Sequence, residues 1–313
     1  MEYTTLGRTG LRVSVLGLGG GGHSRLGAST GATGDESAAI VRRALELGIN
    51  FLDTAEAYGT ESLVGQGLRG VDRANVVLST KKSMTDGEQL ITPTQLAEGL
   101  GASLARLGTD CVDIYHLHAV RADQYDYALS EVVPVLLKLR DQGKIRFLGI
   151  TEAFASDPGH KTLSRAVADS CWDVMMVGYN ILNQSARDRV LASAIQQDVG
   201  VLCMFAVRDA LSRPEKLRAT VRNLVEQGVV PADEVDLDDP LGFVTRDDVA
   251  ESLPEAAYRF CRAEPGIHVV LSGTGNPRHL EENVASILKP PLPPEVSQLL
   301  RALFARVDTV SGQ

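Results

Sequence analysis

Short apolar runs without polar alternation recur along this chain, each followed by an amphipathic stretch, and this repetition restricts the fold more than any other feature. The runs span Val13 to Leu18, Phe51 to Asp53, Val76 to Thr80, Val112 to Leu117, Arg146 to Ile150, Val174 to Val177, Val201 to Met204 and His268 to Leu271. Helical spacing is read over Glu36 to Leu47, Glu61 to Leu68, Thr92 to Leu107, Ala128 to Gln142, Lys161 to Asp169, Ser185 to Gln197, Arg246 to Cys261 and Pro277 to Ile287. Pro294 to Val307 reads as an extra C-terminal helix. Runs that stay apolar at successive positions suit strands buried on both faces, as parallel sheets require. Eight such pairs in 313 residues predict an α/β chain closed into a (β/α)8 TIM barrel, with residues 1–313 forming one domain.

An open doubly wound sheet is the alternative from pattern alone. It normally carries a glycine-rich turn leading straight into the first helix, so that the helix N-terminus meets a pyrophosphate. Gly17, Gly19 and Gly22 match G-x-G-x-x-G, but a long Ser/Thr/Gly-rich loop separates them from the next helix, which argues against that use. Two β-to-α loops are long, Gly20 to Asp35 and Arg208 to Thr245. The second contains Pro214, Pro231, Pro240 and the acidic stretch from Asp233 to Asp239. Long loops of this kind often line binding sites, though an ordinary surface insertion has the same appearance.

Net charge of −9 disfavours a nucleic-acid-binding surface, so a phosphate-bearing ligand must meet a local positive site. Cys111, Cys171, Cys203 and Cys261 are scattered without metal or redox spacing, which suits reduced thiols in a cytoplasm. No basic-then-apolar leader opens the sequence, and no apolar run approaches the roughly 18 to 20 residues of a membrane span. The partners expected are therefore small molecules. Oligomeric state is not legible.

In a parallel barrel the C-terminal ends of all strands open on one face, so residues distant in sequence converge there. Asp53 ends the second strand, Tyr58 follows in the loop, Lys81 ends the third and His118 ends the fourth. Each type also has an ordinary structural use: Asp53 as a cap, Tyr58 as packing, Lys81 or Lys82 as a strand-end charge, His118 as a core histidine. Strand alternation separates Lys81 from Lys82 without saying which points inward. His116 and His118 share one strand face, a spacing used by metal sites, which opens a metal-dependent barrel hydrolase as an alternative. That reading needs further ligands at other strand ends, and His23, His160, His268 and His279 do not fall there, so no metal site is assigned.

Taken together, Asp53, Tyr58, Lys81 and His118 resemble the catalytic tetrad of the aldo-keto reductases, and the resemblance runs from Leu6 to Asn283. It selects Lys81 over Lys82. It implies reversible hydride transfer between a nicotinamide and an aldehyde, ketone or alcohol. Tyr58 would be the acid-base group, its pKa lowered by Lys81; Asp53 would orient the lysine and His118 the carbonyl oxygen. On the cofactor side it implies Phe205 stacking on nicotinamide, Thr151 and Glu152 near the carboxamide, and Gly273, Thr274, His279, Glu282 and Asn283 toward the adenosine end. Two departures stand out. Gly273 and His279 occupy the places where the family often has a lysine and an arginine for the 2′-phosphate, leaving Arg278 or Arg213 as substitutes. Glu152 and Met176 stand where an Asn and a Gln are usual. NADP is the expected cofactor, with NAD as the alternative. Glu152 either faces the nicotinamide, or turns away to solvent or pairs with a nearby basic residue. A cofactor-binding redox sensor with little turnover is a further reading compatible with the barrel.

Overall fold

The computed structural model describes every residue except Asp247. Its barrel strands are β1 (Leu16–Gly19), β2 (Phe51–Asp53), β3 (Val77–Ser83), β4 (Val112–Val120), β5 (Ile145–Glu152), β6 (Val174–Gly178), β7 (Gly200–Met204) and β8 (Val269–Ser272). Neighbouring strands are parallel and follow chain order, and β8 closes on β1 through the pairs Val270–Leu16, Leu271–Gly17 and Ser272–Leu18. Closure removes both sheet edges, so each barrel strand has a neighbour on either side.

Side chains alternate across each strand. Phe51, Val77, Ile114, Val174, Met176, Leu202 and Val269 form one apolar cluster inside the barrel, while Leu52, Leu78, Tyr115, Leu117, Leu148 and Ile150 join the larger cluster beneath the surrounding helices. This phase puts Asp53, Ser79, Lys81, His116 and His118 on the inner side. It puts Lys82 outside, where it pairs with Glu56 at 2.6 Å.

The expected first strand divides in two. Arg12–Ser14 pairs antiparallel with Tyr3–Thr5, and only Leu16–Gly19 enters the barrel. Leu6, Leu11 and Val13 of this hairpin join the inner cluster and stopper the barrel floor. The fit is close: a Cβ on Gly7, at φ +45°, would lie 2.5 Å from the Gly200 nitrogen. Truncating the fully buried Leu6 to alanine would cost about 2–5 kcal/mol through lost burial and the cavity left behind.

Helix starts follow their caps. Thr33 with Glu36 and Thr92 with Gln95 form reciprocal capping boxes, and Pro93 opens the Pro93–Leu107 helix. The 208–245 segment is more regular than expected, because it contains a helix at Pro214–Glu226 whose Leu217, Val221 and Leu224 are buried at helical spacing. The helix expected from Arg246 begins only at Leu253, capped by Ser252, whose hydroxyl accepts from the Glu255 nitrogen. The C-terminal helix is Pro294–Leu303.

Candidate active site

β2, β3 and β4 are adjacent, and their inward residues meet at the C-terminal mouth. Lys81 is fully buried, with Nζ 2.5 Å from Asp53 Oδ2 and 2.7 Å from the Thr54 carbonyl. The other carboxylate oxygen of Asp53 accepts from Ser79 Oγ at 2.8 Å. Tyr58 ends a single turn at Glu56–Tyr58, closed by Gly59 in the left-handed region, which suits glycine. Its hydroxyl lies 3.2 Å from His118 Nε2, and Lys81 Nζ lies 5.1 Å from its ring centroid. Gly21 gives the ring its space, since a Cβ there would fall 2.7 Å from it.

Burial dominates the electrostatics. It pushes the Tyr58 phenol above its ordinary value, outweighing Lys81, which acts in the opposite direction. The expectation of a net lowering by Lys81 is therefore corrected: the ammonium limits the rise without reversing it, because loss of water disfavours the phenolate more. Burial, seconded by Lys81, holds His118 down to about 3, so its ring is neutral at physiological pH. Burial also raises the Asp53 carboxyl, against the pull of Lys81 and Ser79. The His116 ring fills the space over Gly149, and neither nitrogen has a hydrogen-bond partner among the described residues. No group of three or more metal-binding side chains occurs among the described residues.

A cleft of about 830 Å³ opens beside this cluster. Asp53, Tyr58, Met176, Phe205, Gly273, Thr274, His279, Glu282 and Asn283 line it. Phe205 is held at φ +67°, a strained position for a non-glycine residue, with Phe154 edge-on at 5.5 Å. Thr274 Oγ1 accepts from the Asn276 nitrogen at 3.0 Å, and Asn283 Nδ2 donates to Ser272 Oγ at 2.9 Å. Glu282 pairs with Arg278 at 2.8 Å.

Thr151 and Glu152 are not among the lining residues. Thr151 Oγ1 accepts from the Ala119 nitrogen at 2.7 Å. Glu152 falls on the outer phase of β5, where both carboxylate oxygens lie 2.9 Å from His160 Nδ1 and Oε1 also accepts from the Gly178 nitrogen at 2.7 Å. Of the arrangements open to Glu152, the structure has neither the one facing the cleft nor the one turned to solvent, but the pairing with a basic residue.

Sequence reasoning missed His160 and Arg208. His160 gave no signal, since its partnership depends on how the loop after β5 folds back. Arg208 stands three residues after Phe205 on the same loop, with its guanidinium carbon 3.9 Å from that ring's centroid. Nearby, His23 reaches Asp209 at 3.2 Å and thereby joins the two long loops. A second cavity, of about 940 Å³, lies at the opposite end of the barrel around Arg12, Arg73, Asp113 and Arg146. Asp113 there pairs with Arg73 at 2.6 Å and Arg146 at 2.7 Å, and none of the candidate residues lines this cavity. The floor of such barrels serves stability, whereas chemistry gathers at the strand C-termini.

The chain resembles known proteins in both sequence and fold. The profile of the Aldo/keto reductase family matches residues 15–304. L-galactose dehydrogenase of Arabidopsis thaliana is 30% identical over 299 residues, covering 92% of this chain and 88% of its own. D-threo-aldose 1-dehydrogenase of a Pseudomonas species is 27% identical over 304 residues, covering 88% and 89%. An aldo-keto reductase of Bacillus halodurans, solved in its holo form, superposes with a TM-score of 0.74 over 99% of this chain and 98% of its own, at 24% identity, a likeness of fold.

Proposed function

The chain belongs to the aldo/keto reductase family and is an NAD(P)H-dependent oxidoreductase, and from that premise we propose how its residues divide the work. In our reading Tyr58 exchanges a proton with the substrate oxygen, and His118, neutral, orients that oxygen. The observation that carries this is the 3.2 Å approach of the Tyr58 hydroxyl to His118 Nε2 beside the buried Lys81–Asp53 pair. A protonated phenol suits carbonyl reduction, where a proton is given; alcohol oxidation needs the phenolate. Lys81 makes that phenolate less costly, and Asp53 with Ser79 keeps the lysine in place.

The cleft fits a nicotinamide dinucleotide, which when bound supplies or accepts the hydride. A Cβ on Gly273 would fall 3.2 Å from the Gly19 carbonyl oxygen and 3.3 Å from that of Gly21, so the bare backbone leaves a narrow cradle there. Phe205 lines the same cleft as Tyr58, and Thr274, His279, Glu282 and Asn283 offer polar contacts along it. Thr151 and Glu152 act in this reading by supporting the loops rather than by contact. NADP is our assignment, with NAD as the alternative, since neither Gly273 nor His279 supplies an arginine fork for a 2′-phosphate.

Substrates are taken to be small aldehydes, ketones or alcohols, aldoses among them because two relatives are named for such sugars. We read residues 1–313 as one domain and place the protein in the cytoplasm, a placement supported by four free cysteines. A metal-dependent hydrolase draws no support from the family match, and His116, enclosed in the barrel wall, is poorly placed to serve one. The test is consumption of NADPH and NADH across a panel of aldehydes, ketones and aldoses, with the reverse reaction followed on the alcohols. Cofactor binding without turnover on every member would favour a sensor and overturn the reading.

A further inference from the structure

Arg208 lines the cleft wall and is left unused by the mechanism. It is half-buried, and its guanidinium makes no hydrogen bond or ion pair among the described residues, resting only over the Phe205 ring. Its neighbours differ. Asp209 is engaged by His23 at 3.2 Å and by Arg213 at 3.8 Å, so the closest carboxylate is directed elsewhere. Burial lowers the Arg208 guanidinium below its ordinary value, against the opposing pull of Tyr58 and Asp209. A desolvated cation without an anion is costly, and the cost is recovered when an oxyanion binds.

Position decides which anion. Two consecutive glycines border the two groups: a Cβ on Gly21 would be 2.7 Å from the Tyr58 ring, and one on Gly22 would be 3.6 Å from Arg208 Nη1. Adjacent Cα atoms are about 3.8 Å apart, so Arg208 stands within a few bonds' reach of a substrate oxygen held at Tyr58. We propose that Arg208 binds a carboxylate carried by the substrate, which makes aldehydes, ketones or alcohols bearing a nearby carboxylate the preferred class. Arginine suits the task because its planar fork meets both carboxylate oxygens at once, which lysine does not do. The inference rests on the oxidoreductase site proposed above.

The test compares 4-carboxybenzaldehyde with its uncharged methyl ester, in wild type, Arg208→Gln and Arg208→Lys, each checked for unchanged thermal unfolding. We expect wild type to favour the acid. Arg208→Gln should lower the acid-to-ester ratio of kcat/KM by about 10- to 100-fold, mainly through KM, and Arg208→Lys should restore part of it. Benzoate binding, followed by calorimetry with NADP present and with benzyl alcohol as control, should weaken by a similar factor. Equal losses on acid and ester would overturn the proposal. So would a weakened cofactor with the ratio preserved, which would assign the guanidinium to the cofactor phosphates, or a tightened cofactor with the ratio preserved, which would make it only a cover on Phe205. Should wild type reduce neither aldehyde, the wider panel decides the active-site reading and benzoate calorimetry decides Arg208: binding lost in Arg208→Gln upholds it, and equal binding sinks it.

Discussion

His160 and Glu152 form a closed pair on the outer side of β5, with Nδ1 2.9 Å from both carboxylate oxygens and neither side chain exposed to solvent. The imidazole also stacks on Phe154, 5.3 Å between centroids, and Phe154 meets Phe205 edge-on. The carboxylate therefore supports the wall behind the cleft.

Removing that support should cost stability before it costs chemistry. Glu152→Leu strands the Gly178 N–H and the His160 ring, with an expected loss of about 3–5 kcal/mol; Glu152→Gln keeps one acceptor and should lose about 1–2 kcal/mol. Urea unfolding measures both. Affinities for oxidised and reduced cofactor should change by equal factors in Glu152→Gln, because the carboxylate is not beside the cleft. A selective loss of the oxidised form would place its charge back at the nicotinamide.

Tyr58→Phe removes the proton donor while keeping the ring that rests on Gly21. Turnover should fall by about 10² to 10⁴, with cofactor dissociation constants within a few-fold of wild type. Single-turnover reduction and a cofactor titration separate the two quantities. Wild-type turnover in a chemistry-limited assay would remove Tyr58 from the role.

The pH profile follows from the direction of two shifts. Tyr58 is raised, so its proton is present throughout the neutral range: reduction should be level from about pH 6 to 9, and alcohol oxidation should climb with pH as phenolate becomes accessible. His118 is held down to about 3 and should add no limb near the ordinary histidine value. An acidic limb centred near pH 6.5 that disappears in His118→Gln would contradict the neutral ring.

Coenzyme choice should be weak. Arg278 is strongly exposed and already paired with Glu282 at 2.8 Å, while Arg213 leans toward Asp209 at 3.8 Å. Neither forms a dedicated fork. NADPH preference in kcat/KM is expected to stay well below about a thousandfold, the equivalent of roughly 4 kcal/mol. A larger preference that collapses in Arg213→Ala or Arg278→Ala would identify the missing clamp.

Much of the site was legible in one dimension, because strand ends in a parallel barrel converge whatever fills the loops. Asp53, Tyr58, Lys81 and His118 fall at or just after the ends of apolar runs, and their resemblance to a family tetrad named them together and chose Lys81 over Lys82. What sequence by itself left undetermined was phase and environment. Alternation has a fixed period but no fixed origin, so only the closed barrel shows Lys81 inside with Asp53, Lys82 outside with Glu56, and Glu152 outside with His160. The Arg12–Ser14 strand lies outside the barrel, in a hairpin whose Leu6, Leu11 and Val13 fill the floor, an arrangement visible only once the barrel is closed. The sign of the Tyr58 shift was likewise decided in three dimensions. A nearby lysine can be read from a motif, whereas the loss of water that outweighs it is a sum over every neighbour the fold brings in.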